Sequence, residues 1–265
     1  MSQYDKQYSH ASSPAQGAVV DEGLRSYMLT VYNYMAAGVA LTGIVAYFLF
    51  TQTITTDPAL AAKSASGAAY GLKRGMYFTE LGAALYMSPM KWVLMLAPLA
   101  FVFGLSAMVY RMSAGMAQMM FWIFAAVMGA SLSSIFIVYT HQSIVQVFFI
   151  SAAAFAGLSL YGYTTKKDLS GWGSFLIMGV IGIVIAALVN LFLQSSALQF
   201  AISVIGVLVF AGLTAYDTQR IKDGYYEVAG NAEMAAKTAI MGALSLYLDF
   251  INMFVMLLSL FGNRE

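Results

Sequence analysis

Residues 238–261 read TAIMGALSLYLDFINMFVMLLSLF, an almost wholly apolar run that contains Asp249. As a helix rising 1.5 Å per residue, this segment is ~36 Å long and can cross the ~30 Å hydrocarbon core of a bilayer. Continuous apolar runs exclude a transmembrane β-barrel, whose strands are ~10 residues long and alternate in polarity. Six further apolar runs of spanning length lie at about 26–51, 89–110, 114–140, 143–164, 172–194 and 197–219. The sequence therefore predicts an all-α polytopic membrane protein with seven transmembrane helices.

The composition excludes the soluble classes of protein. Of the 265 residues, 60% are hydrophobic and 9% are charged, whereas an ordinary soluble domain is about 25% charged. This excludes a soluble enzyme and a disordered chain, and the net charge of +1 gives no attraction to nucleic acid. The chain has no cysteine, and its two histidines, His10 and His141, are too few for a multi-histidine metal site. No resident cofactor is expected.

Outside the spans, the chain has a polar tail and one long connection. Residues 1–25 are rich in Ser, Gln, Gly and acids, and are expected to form a flexible tail without a signal-peptide pattern. Residues 26–265 form the predicted seven-helix transmembrane domain. Its connection at about 52–88 carries charges and several glycines, so a Gly-rich loop with an interfacial segment is expected there.

Lysine and arginine positions predict the orientation of the chain. A cytoplasmic N-terminus leaves five basic residues on the external side, three of them in the long loop. It places eight in the cytoplasm: Lys6, Arg25, Arg111, Lys166, Lys167, Arg220, Lys222 and Lys237. The positive-inside rule therefore favours a cytoplasmic N-terminus and, with seven spans, an external C-terminus.

Two aspartates are the candidate functional residues. Of the twelve acidic residues, only Asp217 and Asp249 interrupt apolar spans. An intramembrane carboxylate costs roughly 2.5–3.5 kcal/mol on insertion scales, so its presence points to function. The alternatives are an interfacial helix end for Asp217, which Arg220 follows closely, and a structural hydrogen bond between helices for Asp249.

Two asparagines also lie within apolar spans. Asn252 follows Asp249 by three residues, on the same helical face, and Asn190 lies in the fifth span. A hydrogen bond between helices is the first interpretation of each, and pore lining is the second.

The residues around the two aspartates carry a family resemblance. The stretches AGLTAYDTQRIK (211–222) and GALSLYLDFIN (242–252) resemble the signature of the Bax inhibitor-1, or transmembrane Bax inhibitor motif, family, which includes bacterial YccA- and YetJ-like proteins. Supporting similarity lies in VYNYM (31–35) and TKKDLS (165–170). The resemblance covers essentially everything after the tail.

This resemblance implies both a fold and an activity. It implies seven helices with the last one central, in a bacterial cytoplasmic membrane, and a pH-sensitive calcium leak rather than an enzyme. Asp217 and Asp249 match the family's gating pair, and Arg111 matches a basic residue described as pairing with it. The implied partners are membrane lipid, calcium ions and protons.

The oxygen ligands available for calcium are few. Some family members have an acidic residue in the second helix, but residues 89–110 contain none. Ca²⁺ takes 6–8 oxygens, and the carboxylates of Asp217 and Asp249 supply at most four. Transient, weak coordination of Ca²⁺ by this pair is therefore expected.

A close aspartate pair would respond to pH. Two carboxylates in a low-dielectric site cannot both ionise cheaply, so Asp217 and Asp249 would share one proton. Gaining or losing that proton would bias the packing of the last two helices. The pairing requires the final helix to begin in the cytoplasm and to reach the membrane near Gly242.

A cation exchanger with the same proton-sensitive gate is the alternative to a leak channel, and two other classes of function compete with both. Resemblance to the YccA branch suggests a non-conducting protein that modulates a membrane protease. Aspartates on consecutive helices are also typical of aspartyl intramembrane proteases. Those enzymes carry Gly-x-Gly-Asp, whereas residues 246–249 read LYLD, and no Pro-Ala-Leu motif follows.

Overall fold

The protein is all-helical apart from one small hairpin in the part that the structure describes. The computed structural model describes residues 14–64, 67–72 and 75–264. Its helices are α1 (Pro14–Thr53), α2 (Glu80–Tyr86), α3 (Met90–Met108), α4 (Ala114–Leu132), α5 (Ile135–Val138), α6 (His141–Thr164), α7 (Ser170–Leu193), α8 (Ser196–Val228) and α9 (Ala232–Phe261).

The seven predicted spans are confirmed. Within the described ranges, seven helical segments are long and apolar enough to cross a membrane, with α4 and α5 together forming the third. The outer helices present large apolar side chains outward, and Phe192 at the end of α7 is 89% exposed. Such a surface is stable in lipid and not in water, as the composition predicts.

The first helix begins earlier than the first apolar run. Residues 14–25, predicted as part of the flexible tail, belong to α1, which has Pro14 as its first residue, while residues 1–13 lie outside the described part. Leu24 and Tyr27 are buried, and the Tyr27 ring lies 5.2 Å from that of Tyr225 on α8. Tertiary packing of Leu24 therefore stabilises the part of the helix that precedes the apolar run.

The long loop is more ordered than a Gly-rich connection. Strands β1 (Ile54–Thr55) and β2 (Tyr77–Phe78) pair antiparallel, and α2 follows with Thr79 as its N-cap. Gly67 and Gly75 have φ angles of 80° and 67°, in the left-handed region that glycine tolerates. Lys73 and Arg74, two of the charges noted in this loop, lie outside the described residues.

The last helix is central, as expected. Four helices pack on α9, namely α1, α4, α6 and α8, and α8 makes the most extensive contact. Tyr247 of α9 is fully buried between the edges of Phe121 and Phe124 on α4. Its hydroxyl lies 2.6 Å from Oγ1 of Thr42 on α1, which donates to the Ala125 carbonyl. One hydrogen-bonded group therefore links α1, α4 and α9.

Small residues allow α6 and α8 to approach closely. A Cβ atom added at Gly162 of α6 would lie 2.2 Å from the backbone carbonyl oxygen of Ala215, two residues before Asp217. No heavy atom lies within 4 Å of the corresponding position at Gly157, on the same helix. The contact at Gly162 therefore sets the separation of these helices beside the aspartates.

Gly162→Ala should destabilise the protein, because the new methyl group meets backbone that cannot rotate away. We expect a loss of about 1–3 kcal/mol in the free energy of unfolding. Gly157→Ala is the matched control and should be neutral or stabilising by up to about 1 kcal/mol, because alanine favours the helix. Equilibrium unfolding in mixed detergent micelles measures both. Equal effects of the two substitutions would contradict the close α6–α8 contact.

Candidate functional site

The site lies along the contact between α8 and α9, which we call the α8–α9 seam. The two helices are antiparallel and joined by the short turn at residues 229–231. Three contacts define their register: Arg220 with Ser245, Ile221 with Gly242, and Met256 with Gly206.

This register brings the two aspartates to the same level. Because the helices are antiparallel, the contacts place Asp217 level with residues 245–248 of α9. Asp249 lies one to four residues further along α9, so the two aspartates are offset along the helix axis by ~1.5–6 Å at 1.5 Å per residue. The turn lies well beyond this level, since α8 continues to Val228 and α9 begins at Ala232. The final helix therefore starts before its apolar run, at Ala232, and its cytoplasmic start and its entry into the membrane near Gly242 stay predictions.

Asp217 is buried and forms an ion pair within α8. It is 7% exposed, and Nη2 of Arg220, three residues later, lies 3.1 Å from its Oδ1. The same Nη2 donates to Oγ of Ser245 at 3.4 Å, and the guanidinium lies 5.7 Å from the centre of the Tyr216 ring. The Arg220 side chain remains 52% exposed, so the cation can reach water while it neutralises Asp217.

Asp249 is buried and incompletely paired. It is 4% exposed, and among the described residues its Oδ2 has no hydrogen-bond partner. Asp217 and Arg220 lie within electrostatic range of it. An unsatisfied buried polar atom costs about 1–3 kcal/mol, so this oxygen needs a proton, a water molecule or a cation. The direct approach of the two carboxylates to water-bridging distance stays a prediction.

Arg220, and not Arg111, is the cation beside the pair in this structure. Arg111 lies in an exposed turn that follows α3, whereas Arg220 contacts Asp217 directly. The sequence did contain the signal for Arg220, because its i, i+3 spacing from Asp217 places both side chains on one helix face. The count of basic residues alone places Arg220 at the cytoplasmic interface and does not pair it with Asp217.

The two asparagines have different environments. Nδ2 of Asn190 donates to Oε1 of Gln199 on α8 at 3.2 Å, which confirms its interpretation as a hydrogen bond between helices. Nδ2 of Asn252 instead donates to the Leu248 carbonyl of its own helix at 2.8 Å, so the same interpretation is wrong for this amide. Asn252 remains on the Asp249 face of α9, and pore lining stays a prediction for both residues.

The residues after Asp217 fix α8 to its neighbours. Oγ1 of Thr218 lies 2.9 Å from Oγ of Ser159, which is 2.7 Å from the hydroxyl of Tyr32 on α1. Gln219 accepts from the Leu169 amide and donates to the Lys167 carbonyl, both at 2.8 Å. Thr218 and Gln219 belong to the family motif, but the sequence could not identify their hydrogen-bond partners, because those partners lie about 50 residues or more away along the chain.

The connection held by Gln219 also contains a carboxylate that accepts a hydrogen bond from nearby backbone. Asp168, outside the spans, accepts from the Ser170 amide at 2.8 Å at the start of α7. The side-chain and backbone hydrogen bonds with Ser170 hold the pKa of Asp168 below its usual value.

The oxygen ligands do not fit a tightly bound calcium ion. Within the described ranges, no group of three or more His, Cys, Asp or Glu side chains could hold a metal. The two carboxylates offer at most four of the 6–8 oxygens that Ca²⁺ takes, and Arg220 already engages Asp217. Among the described residues, the two carboxylates therefore offer an incomplete coordination shell for Ca²⁺.

The fold and the site define a seven-helix membrane protein with two buried aspartates between its last two helices. Residues 24–265 match the family described as "Inhibitor of apoptosis-promoting Bax1". The chain is 44% identical over 244 residues to the inner membrane protein YbhL of Escherichia coli (strain K12), covering 92% of this chain and 94% of YbhL. It is 43% identical to an uncharacterized protein of Caulobacter vibrioides over the full length of both chains. An uncharacterized protein of Rickettsia prowazekii is 44% identical over 96% of each chain. The chain belongs to the Bax inhibitor-1 family.

Removing either charge separately should reveal the unequal pairing of the aspartates. Asp249→Asn keeps the volume and removes an incompletely paired charge, so at mildly alkaline pH we expect a gain of about 1–3 kcal/mol in the free energy of unfolding. Asp217→Asn leaves Arg220 without its counter-ion and should not stabilise the protein. Unfolding titrations in detergent measure both variants. A loss of stability in Asp249→Asn would show that its carboxylate is fully paired.

Proposed function

We propose that this protein is a pH-sensitive leak for calcium or related cations across the bacterial cytoplasmic membrane, gated by Asp217 and Asp249. The observation that carries the proposal is Oδ2 of Asp249, which is buried in a central helix near the level of a second carboxylate and has no hydrogen-bond partner among the described residues. Intramembrane carboxylates at such positions mark ion pathways and proton relays. The name of the Escherichia coli relative supports an inner-membrane location, and the distribution of basic residues supports a cytoplasmic N-terminus.

In this mechanism the gate is the packing of α8 on α9. With both aspartates ionised, their repulsion is relieved only in part by Arg220, which is bound to Asp217 and Ser245. A shared proton removes one negative charge and changes which carboxylate is hydrogen-bonded. Among the described residues, the α8–α9 seam is the most extensive contact between helices. A change in the packing of α8 on α9 would therefore also move α9 against α1, α4 and α6.

The weakness of the ligand set is part of the function. Conduction requires an ion to bind strongly enough to lose water, yet weakly enough to leave. Two carboxylates with a neighbouring arginine give partial compensation for lost hydration and no closed coordination shell. This arrangement favours slow passage over storage, and it requires no catalytic step.

The experiment that tests the leak is calcium flux into proteoliposomes over a pH series. Asp249→Asn should reduce flux at every pH, because it removes the more buried charge from the path. Asp217→Asn should keep flux but lose its response near neutral pH, because the remaining carboxylate no longer shares a proton. A full pH response in either variant would refute the shared-proton gate. Absence of flux at any pH with folded protein would favour the non-conducting regulator of a membrane protease.

Arg220→Gln and Arg111→Gln together identify the cation that tunes the gate. Removing a cation beside the pair favours its protonated state, so Arg220→Gln should move the flux response to higher pH. Arg111→Gln, a matched loss of one exposed arginine, should leave the profile unchanged. The readout is the pH of half-maximal flux at equal protein density. The opposite pattern would assign this role to Arg111, as the family resemblance implies.

A further inference from the structure

Two polar layers lie along the α8–α9 seam, separated by apolar side chains. The first layer contains Asp217 and Asp249, with Ser245 and Arg220. The second lies nearer the C-terminal end of α9, where Nε2 of Gln199 donates to the hydroxyls of Ser203 and Ser259, at 3.5 and 3.4 Å.

Helical spacing places both layers on one continuous stripe of each helix. On α9, residues 245, 249, 252, 256 and 259 follow each other at intervals of three or four, as do 199, 203, 206, 210, 213, 217 and 220 on α8. Asn252, Met256 and Ser259 are half-buried, whereas residues 253, 254, 257 and 258 are buried. The stripe is therefore the less covered side of this part of α9.

Between the two layers, Met256 of α9 packs on Gly206 of α8. A Cβ atom added at Gly206 would lie 2.9 Å from Cγ and 3.1 Å from Sδ of Met256, so the methionine side chain lies directly on the glycine. Phe210 and Leu213 continue the apolar stripe toward Asp217, and both are buried. From Asn252 to Ser259 the distance along the axis is ~10 Å.

We propose that Met256, packed on Gly206, is an apolar closure between the aspartates and the second polar layer, and that the cation path follows the α8–α9 seam through it. An apolar constriction of this kind blocks ions by excluding water. Methionine suits the role because it is unbranched and flexible, and glycine leaves space beneath it. The proposal rests on the proposed leak for its cargo, but its geometry can be tested without flux.

The natural absence of cysteine allows the path to be mapped by thiol labelling. Ser245→Cys and Ser259→Cys report the two polar layers, and Leu208→Cys, at a side chain that is 67% exposed on the outer face of α8, is the matched control in lipid. A membrane-impermeant thiol reagent is applied to each face of sealed vesicles. We expect Ser259→Cys to react from one face only, Ser245→Cys to be protected from that face, and Leu208→Cys to react from neither.

Shortening the Met256 side chain should open the closure and connect the two polar layers. With Met256→Ala added, Ser245→Cys should become reactive from the face that labels Ser259→Cys, and calcium flux should rise several-fold. Met256→Leu keeps the apolar volume and should change neither. Adding Gly206→Ala to Met256→Ala should reverse the gain, because the new methyl group refills the space that the methionine left.

The labelling and flux results separate the two proposals. If Ser259→Cys reacts no faster than Leu208→Cys, or if Met256→Ala leaves Ser245→Cys protected, the closure is refuted. If labelling follows the expected pattern but no variant conducts calcium, the closure is supported and the proposed leak is refuted.

Discussion

The buried carboxylate of Asp249 is the constraint on which the rest of the structure depends. A helix that carried this group toward lipid would lose several kilocalories per mole, so it must be enclosed by other helices. The structure encloses it by packing α1, α4, α6 and α8 around α9. The helices on the outside can then be almost wholly apolar, as α7 is, because they carry no functional charge.

Enclosing a helix that carries a buried carboxylate requires close packing, because lipid provides no hydrophobic drive between apolar helices. Here the contacts come from small residues and buried hydroxyls. Gly162 lies against the carbonyl of Ala215, and the hydroxyls of Thr42 and Tyr247 bond each other between α1 and α9. These contacts enclose the aspartates, and among the described residues no group forms a hydrogen bond with the buried Oδ2 of Asp249.

The sequence was sufficient for the spans, for the two aspartates and for the central helix, because each follows from a local pattern or a family motif. It was not sufficient for the start of α1, because hydropathy does not reveal the tertiary packing of Leu24, which precedes the apolar run. Nor could it choose between Arg220 and Arg111. The i, i+3 spacing favours Arg220 and the family resemblance favours Arg111, and only the folded bundle shows which of them pairs with Asp217. The hairpin of β1 and β2 was missed because two-residue strands leave no periodicity to detect.

On the proposed function and the proposed closure, two different barriers lie in series along the α8–α9 seam. The aspartate layer is electrostatic, and its height depends on the proton count and on Arg220. The layer formed by Met256 on Gly206 is apolar, and its height depends on whether water can enter. A leak controlled only by charge would pass ions whenever the pair was ionised, and one controlled only by packing would not sense pH. Because both layers lie on the α8–α9 seam, one rearrangement of these helices can change both barriers at once.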